Sequence, residues 1–241
     1  MTADTGGTIL SCDGLYAGYG SGDVLFGISF GIGCGEVLSL IGRNGAGKST
    51  TMKSIVRLVR PTDGTILFKG NDLSGSGTHS IARMGIAYVP EDRRIFQNLT
   101  IEENLLVTRK AAGPDRWPLQ RIYEVFPTLA RMRRNLGSEM SGGEQQMLAI
   151  ARALVGNPDL VLLDEPSEGL APIIVDELIK LVLALKQSGI AIIVSEQNLG
   201  FAKAVSDKAC VMDRGVIRYN GSYAGFAAND ELMRSYMFAS A

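Results

Sequence analysis

One octapeptide constrains this chain more than any other feature: Gly42-Arg-Asn-Gly-Ala-Gly-Lys-Ser49. It follows the apolar run Glu36-Val-Leu-Ser-Leu-Ile41. It precedes Ser49–Arg60, where Met52, Ile55, Val56 and Val59 recur at helical spacing until Pro61 ends the pattern. Strand, glycine-rich turn and helix in this order, with the spacing G-x-x-x-x-G-K-[ST], have a mechanical meaning. Glycines let backbone N–H groups turn inward and close on a phosphate, and the helix N-terminus adds the positive end of its dipole. Lys48 then reaches the β- and γ-phosphates, and the Ser49 hydroxyl serves as a ligand for Mg²⁺. A plain strand-to-helix turn is the other reading of the same residues.

A second segment points the same way. Leu160-Val-Leu-Leu163 reads as a short buried strand, with Asp164 and Glu165 emerging at its C-terminal edge and Pro166 turning the chain aside. There Asp164 is placed to hold Mg²⁺ through water, and Glu165 suits a general base on an attacking water. Gly85-Ile-Ala-Tyr-Val89 and Gly189-Ile-Ala-Ile-Ile-Val194 read as further strands, and Thr65–Gly70 as another. Ile173–Gln187 and Phe201–Val205 read as helices. Ala209–Met212 and Val216–Tyr219 read as a hairpin across Asp213-Arg-Gly215. Ile9 to about Gly35 predicts short antiparallel strands. Ile101 to Ala153 is mostly helical, broken once at Gly113–Pro118. Apolar strands alternating with helices predict an α/β fold, its mostly parallel sheet covered on both faces. An N-terminal antiparallel β-subdomain precedes it and a helical subdomain at about 92–157 is inserted, all within a single domain over 1–241.

Composition removes several alternatives. Lys+Arg number 24 against 25 Asp+Glu, a net charge of -1, which argues against a nucleic-acid partner. Three cysteines without paired spacing and a single histidine speak against a disulfide framework or a zinc site. That histidine, His79, reads as a surface or helix-start residue. The polar start, Met1–Thr8, has no signal-peptide pattern, and no apolar stretch approaches the roughly 18 residues of a spanning helix. The expectation is a soluble, cytoplasmic chain that serves a membrane only as a peripheral partner.

The phosphate loop and the acidic pair leave a kinase or a GTPase open. Met140-Ser-Gly-Gly-Glu-Gln-Gln146, before a helix through Leu148, Ile150, Ala151 and Leu154, narrows the choice. It resembles the signature motif of ATP-binding-cassette ATPases, with Met140 for the usual Leu and Glu144 for the usual Gln. The resemblance runs from about Ile9 to Ser222 and implies a P-loop NTPase (RecA-like) core that uses ATP and Mg²⁺. It places Gly42, Arg43, Asn44, Gly45, Ala46, Gly47, Lys48, Ser49 and Thr50 around the phosphates. It sets Ser141, Gly142 and Gly143 on the γ-phosphate of ATP held by a second subunit. Ala17-Gly-Tyr-Gly20 looks like the adenine loop, with Tyr19 on the purine ring, a core tyrosine being the rival reading. Ser167–Ala171 occupies the position of the loop that crosses the dimer seam.

Two departures stand out. Glu91 takes the place of a usual Gln, where its carboxylate suits Mg²⁺ or a metal-bound water, or adds repulsion unless the metal, Arg93 or Arg94 neutralises it. Gln197 takes the place of a usual switch His; it can donate to a γ-phosphate but carries no proton near neutral pH. Lys48, Glu165 and Gln197 are therefore the expected catalytic residues, and Ser49, Glu91 and Asp164 the metal ligands. The segments Val-Pro-Glu-x-Arg-Arg, Pro-Ser-x-Gly-Leu-Ala-Pro and Glu-Gln-Asn are similar to those of ATPases of branched-chain amino acid importers and their amide and urea relatives. The resemblance implies membrane permease partners, a second ATPase subunit (a copy or a paralogue), and indirectly a solute-binding protein, at the inner face of the cell membrane. Docking is expected around Glu91–Asn104, with Phe96, Leu99 and Leu105 as apolar surface or core. The cluster Arg131, Arg133 and Arg134 reads as a solvated face. A non-transport cassette of repair or translation and a small-molecule kinase are the rival functions.

Overall fold

Two strands of 12 residues, β1 (Thr8–Tyr19) and β2 (Gly22–Gly33), pair antiparallel at the start of the chain. They are longer than the sequence predicts, because register shifts between Cys12 and Leu15 and between Leu15 and Ala17 bend them without ending the ladder. The computed structural model of the protein describes residues 7–20, 22–109, 115–229 and 233.

The chain continues through β3 (Val37–Ile41), α1 (Lys48–Ile55), β4 (Pro61–Phe68), β5 (Asn71–Asp72), α2 (Thr78–Met84) and β6 (Ile86–Val89). Next come α3 (Ile101–Leu106), α4 (Leu119–Val125), α5 (Pro127–Arg131), one 3₁₀ turn (Gly137–Glu139) and α6 (Gly142–Val155). Then follow β7 (Leu160–Asp164), α7 (Pro172–Gln187), β8 (Ala191–Glu196), α8 (Leu199–Val205), β9 (Lys208–Asp213), β10 (Val216–Ser222) and α9 (Tyr223–Ala227).

Two sheets result. The first is antiparallel, in the order β2-β1-β4-β5. The second runs β10-β9-β3-β8-β7-β6, with only the β9–β10 pair antiparallel. The α/β class with a mostly parallel sheet and an N-terminal antiparallel sheet is therefore as predicted. Alternation along buried β7 shows how the layers meet. Leu160 and Leu162 join a core with Leu15, Ile28, Met52 and Phe68, under the antiparallel sheet and α1. Val161 and Leu163 join the opposite core, with Leu148, Leu154, Leu178 and Val182 of α6 and α7.

Two local expectations are corrected. The helix predicted for Ser49–Arg60 ends at Ile55, well before Pro61. Arg57 adopts φ 60, and the N–H groups of Arg57 and Leu58 turn back to Ser54 O (3.1 Å) and Lys53 O (2.8 Å). That is a Schellman closure, which usually uses glycine at the left-handed position. The stretch from Ile101 to Ala153 is broken more than once. Pro127 has no N–H to continue α4 and starts α5 instead. Gly113 and Pro114 of the predicted break lie outside the described residues. Leu105 is core, whereas Phe96 is exposed and Leu99 half-buried. His79 is exposed on α2, as are Arg131, Arg133 and Arg134. Among the described residues no helix is long and apolar enough to cross a membrane.

Candidate active site

The parallel order β3-β8-β7 brings three strand ends to one edge of the sheet, the place where open α/β sheets bind ligands. In register, Ile41 lies beside Glu196, and Ser195 beside Asp164. Whatever follows β3, β7 and β8 therefore shares one crevice.

After β3 the chain turns through the phosphate loop. Gly45 (φ 81) and Gly47 (φ 104) hold the left-handed conformations that the turn into α1 needs. A Cβ on Gly42 would stand 2.8 Å from Met212 O, and one on Gly47 would stand 2.8 Å from the Leu25 side chain. The loop is pressed onto the core at both points, so its N–H groups are held in place. Lys48 is 4% exposed. Its ammonium donates to Gly42 O (2.6 Å) and Arg43 O (3.2 Å) and pairs with Glu165 Oε1 (2.9 Å). Its three donors are all spent on the loop and on that carboxylate.

Asp164 is the hub of the crevice. Its Oδ1 accepts from Ser49 Oγ (2.9 Å) and Ser195 Oγ (2.6 Å), and its Oδ2 from the Tyr88 hydroxyl (2.8 Å). Burial and then the Asp164 charge push the Tyr88 hydroxyl well above its ordinary range, so it remains a donor. Glu165 sits at φ 47, a left-handed conformation that costs a non-glycine residue energy. It is held there because its N–H donates to Ser195 Oγ (2.9 Å). Gln197 Nε2 donates to Asn44 Oδ1 (2.8 Å) and reaches Glu165 Oε1 (3.4 Å). Lys48, Ser49, Asp164, Glu165 and Gln197 thus come together as one cluster with Asn44.

Glu91 stands at the rim and is exposed. Its carboxyl is pushed above the usual range by desolvation and by the charges of Glu168, Asp164 and Glu165, with Lys53 opposing. Tyr19, at the end of β1, is 55% exposed, so its ring face is open. This excludes the rival reading as a core tyrosine. Tyr88 and Ser195 were not singled out by sequence, and Glu196 entered only as the first residue of the Glu-Gln-Asn segment, with no role assigned. A polar residue inside an otherwise apolar strand, as in Ile86-Ala-Tyr-Val89 and Ile192-Ile-Val-Ser-Glu196, was the available signal.

Ser141 caps α6 reciprocally with Glu144. Ser141 N–H and Oγ both donate to Glu144 Oε2 at 2.7 Å, and Glu144 N–H returns to Ser141 Oγ at 3.4 Å. A Cβ on Gly142 would stand 3.0 Å from the Arg93 guanidinium and one on Gly143 3.1 Å from the Ile174 side chain, so those side chains would have to give by a few tenths of an ångström. The segment opens a helix that packs on β6, the edge strand that β8 and β7 separate from β3.

The donor set suits a magnesium nucleotide. A hydroxyl and a carboxylate, Ser49 and Asp164, meet at 2.9 Å, and such hard oxygens are what Mg²⁺ takes, with phosphates and water completing the shell. Among the described residues no group of three or more acidic, His or Cys side chains forms a metal cage, and a Mg²⁺ shared with phosphates needs none.

Comparisons with known proteins agree with this geometry. A family model described as ABC transporter matches residues 25–168. The chain is 38% identical over 231 residues to the high-affinity branched-chain amino acid transport ATP-binding protein BraG of Pseudomonas aeruginosa, covering 95% of this chain and 99% of that protein. It is 34% identical over 235 residues to the lipopolysaccharide export system ATP-binding protein LptB of Haemophilus influenzae, covering 95% and 97%. A solved structure of an ATP binding subunit of an ABC transporter superposes with a TM-score of 0.82 at 29% identity, covering 95% of this chain and 99% of the other.

Proposed function

Because the chain belongs to the ABC transporter family, as an ATP-hydrolysing nucleotide-binding subunit, we propose that it drives an importer of branched-chain amino acids or related amides. The observation that carries the ATPase part is the cluster in which Lys48, Ser49, Asp164, Glu165 and Gln197 meet at one sheet edge. The likeness to BraG favours the import part. The likeness to LptB makes export of a lipid-linked substrate the second reading.

In this reading the N–H groups of 42–49 and the Lys48 ammonium hold the β- and γ-phosphates, with Thr50 just behind them, and Tyr19 stacks on the adenine. Ser49, Asp164 and Glu91 would hold Mg²⁺, which would supply charge neutralisation on the phosphates. Glu165 accepts the proton of the attacking water, and Gln197 donates to the γ-phosphate. The second half of each site comes from Ser141, Gly142 and Gly143 of a second subunit, so two chains close head to tail on two ATP. One chain holds one loop and one signature, placed apart, and this supports a composite site.

Permease subunits dock in a cleft of about 990 Å³ between β6 and α6. Leu58, Phe96 and Val107 supply apolar walls. Five described lining residues are arginines and none is acidic, so an apolar segment bearing carboxylates is the complementary occupant. The subunit then sits on the cytoplasmic face of the membrane, with any solute-binding protein reached only through the permease.

Phosphate release by the purified chain in Mg²⁺-ATP, and uptake of labelled leucine by vesicles holding the chain with candidate permease subunits, test the two parts. Release of free phosphate that Lys48→Ala abolishes supports the ATPase, whereas transfer to a small acceptor would indicate a kinase. Uptake that does not depend on the chain would overturn the import reading.

A further inference from the structure

Glu196 closes β8 and is 2% exposed. A carboxylate is a poor choice for such a position, because burial costs the charged form most of its hydration. Its hydrogen bonds show what the charge is used for. Oε1 accepts from the Ser167 N–H at 3.2 Å, and Oε2 from the Asn198 N–H at 3.2 Å. Ser167 belongs to the turn that leaves Glu165, where Glu168 N–H closes on Glu165 O at 3.2 Å. Asn198 directly follows Gln197 and caps α8 by accepting from Phe201 N–H at 3.1 Å. One side chain therefore spans the segment that carries the water-activating carboxylate and the segment that carries the γ-phosphate contact.

Charge balance at Glu196 is close. Burial raises its carboxyl to about 7, the Glu165 charge adds to the rise, and the donors from Ser167 and Asn198 oppose it. The charged groups facing it are Glu165, on the turn after β7, and behind that carboxylate Lys48 of α1.

We propose that Glu196 is a positioning residue for ATP hydrolysis, its carboxylate strapping the turn after Glu165 to the backbone beside Gln197 so that both groups are set together. This rests on the ATPase reading above and adds to it a residue that touches neither nucleotide nor water.

Glu196→Gln and Glu196→Leu in the full chain test it. Gln keeps the size, but its amide oxygen takes one N–H while its NH₂ turns against the other; Leu fills the space and accepts nothing. The strap predicts ATP affinity within about twofold of the parent, since the phosphate loop is untouched. It predicts turnover at saturating Mg²⁺-ATP lower by roughly ten- to a hundredfold, the scale of a small misplacement of reacting groups. Amide hydrogen exchange over 166–170 should quicken in both variants. Parental turnover in Glu196→Gln, or unchanged exchange over 166–170, overturns the proposal. A parent that releases no phosphate instead refutes the ATPase reading, and the exchange measurement still decides whether the strap exists.

Discussion

The Lys48 ammonium lies 2.9 Å from the Glu165 carboxylate, and both side chains are buried. The cation of the phosphate loop and the candidate base thus share one ion pair. On the proposed reading, phosphate oxygens that draw Lys48 away leave Glu165 to the attacking water.

Glu165→Gln keeps the size of the side chain and removes its ability to accept a proton. Hydrolysis should fall by about 10²–10⁴-fold, while ATP affinity holds or rises because one negative charge beside the phosphates is gone. The variant should elute as a dimer in Mg²⁺-ATP on size-exclusion chromatography. Single-turnover hydrolysis near the parental rate would show that the water is activated elsewhere, with Glu91 the next residue to test.

Lys48→Ala should abolish ATP turnover. It should also lower stability, because Glu165 is left buried without its cation; breaking one side of a buried pair costs about 3–5 kcal/mol. Thermal denaturation without nucleotide checks this separately from the activity. An unchanged melting temperature would mean that the pair contributes nothing net.

Ser141→Arg should leave ATP binding by a single chain intact and stop dimer closure and hydrolysis, since its bulk would block the opposite γ-phosphate. The variant also loses the Ser141–Glu144 cap, worth about 1 kcal/mol, so binding is measured well below the melting temperature. A parental ATPase rate per chain would refute a composite site.

Glu196 sets a pH dependence of stability. Folding raises its carboxyl from 4.5 to about 7, so between those values the folded chain keeps a proton that the unfolded chain releases. The stability from this group is full below pH 4.5 and is lost as pH rises through 7. Glu196→Gln has no such proton. Its stability relative to the parent should therefore increase by about 3 kcal/mol between pH 4.5 and 8. Urea denaturation of both proteins at the two pH values measures it, and a difference independent of pH would contradict the buried, raised carboxyl.

Several features were legible in the sequence because their chemistry is local. Gly45 and Gly47 have the positive φ that only their residue type adopts freely, and Lys48 and Ser49 follow at the spacing that opens a helix. Asp164 and Glu165 end an apolar run short enough to be only a buried strand. What the tertiary structure alone decided depends on chain segments meeting. Tyr88 reaches Asp164 across 76 positions and Ser195 across 31, through a parallel register that no local pattern encodes. Leu105 turned inward and Phe96 outward, although both are apolar and close in sequence. The end of α1 at Ile55 escaped the glycine-and-proline signals because backbone hydrogen bonds to Lys53 and Ser54 close it with a left-handed arginine, Arg57. Local composition specifies which backbone shapes and charges are available; the packing of β3, β8 and β7 side by side decides which of them face one another.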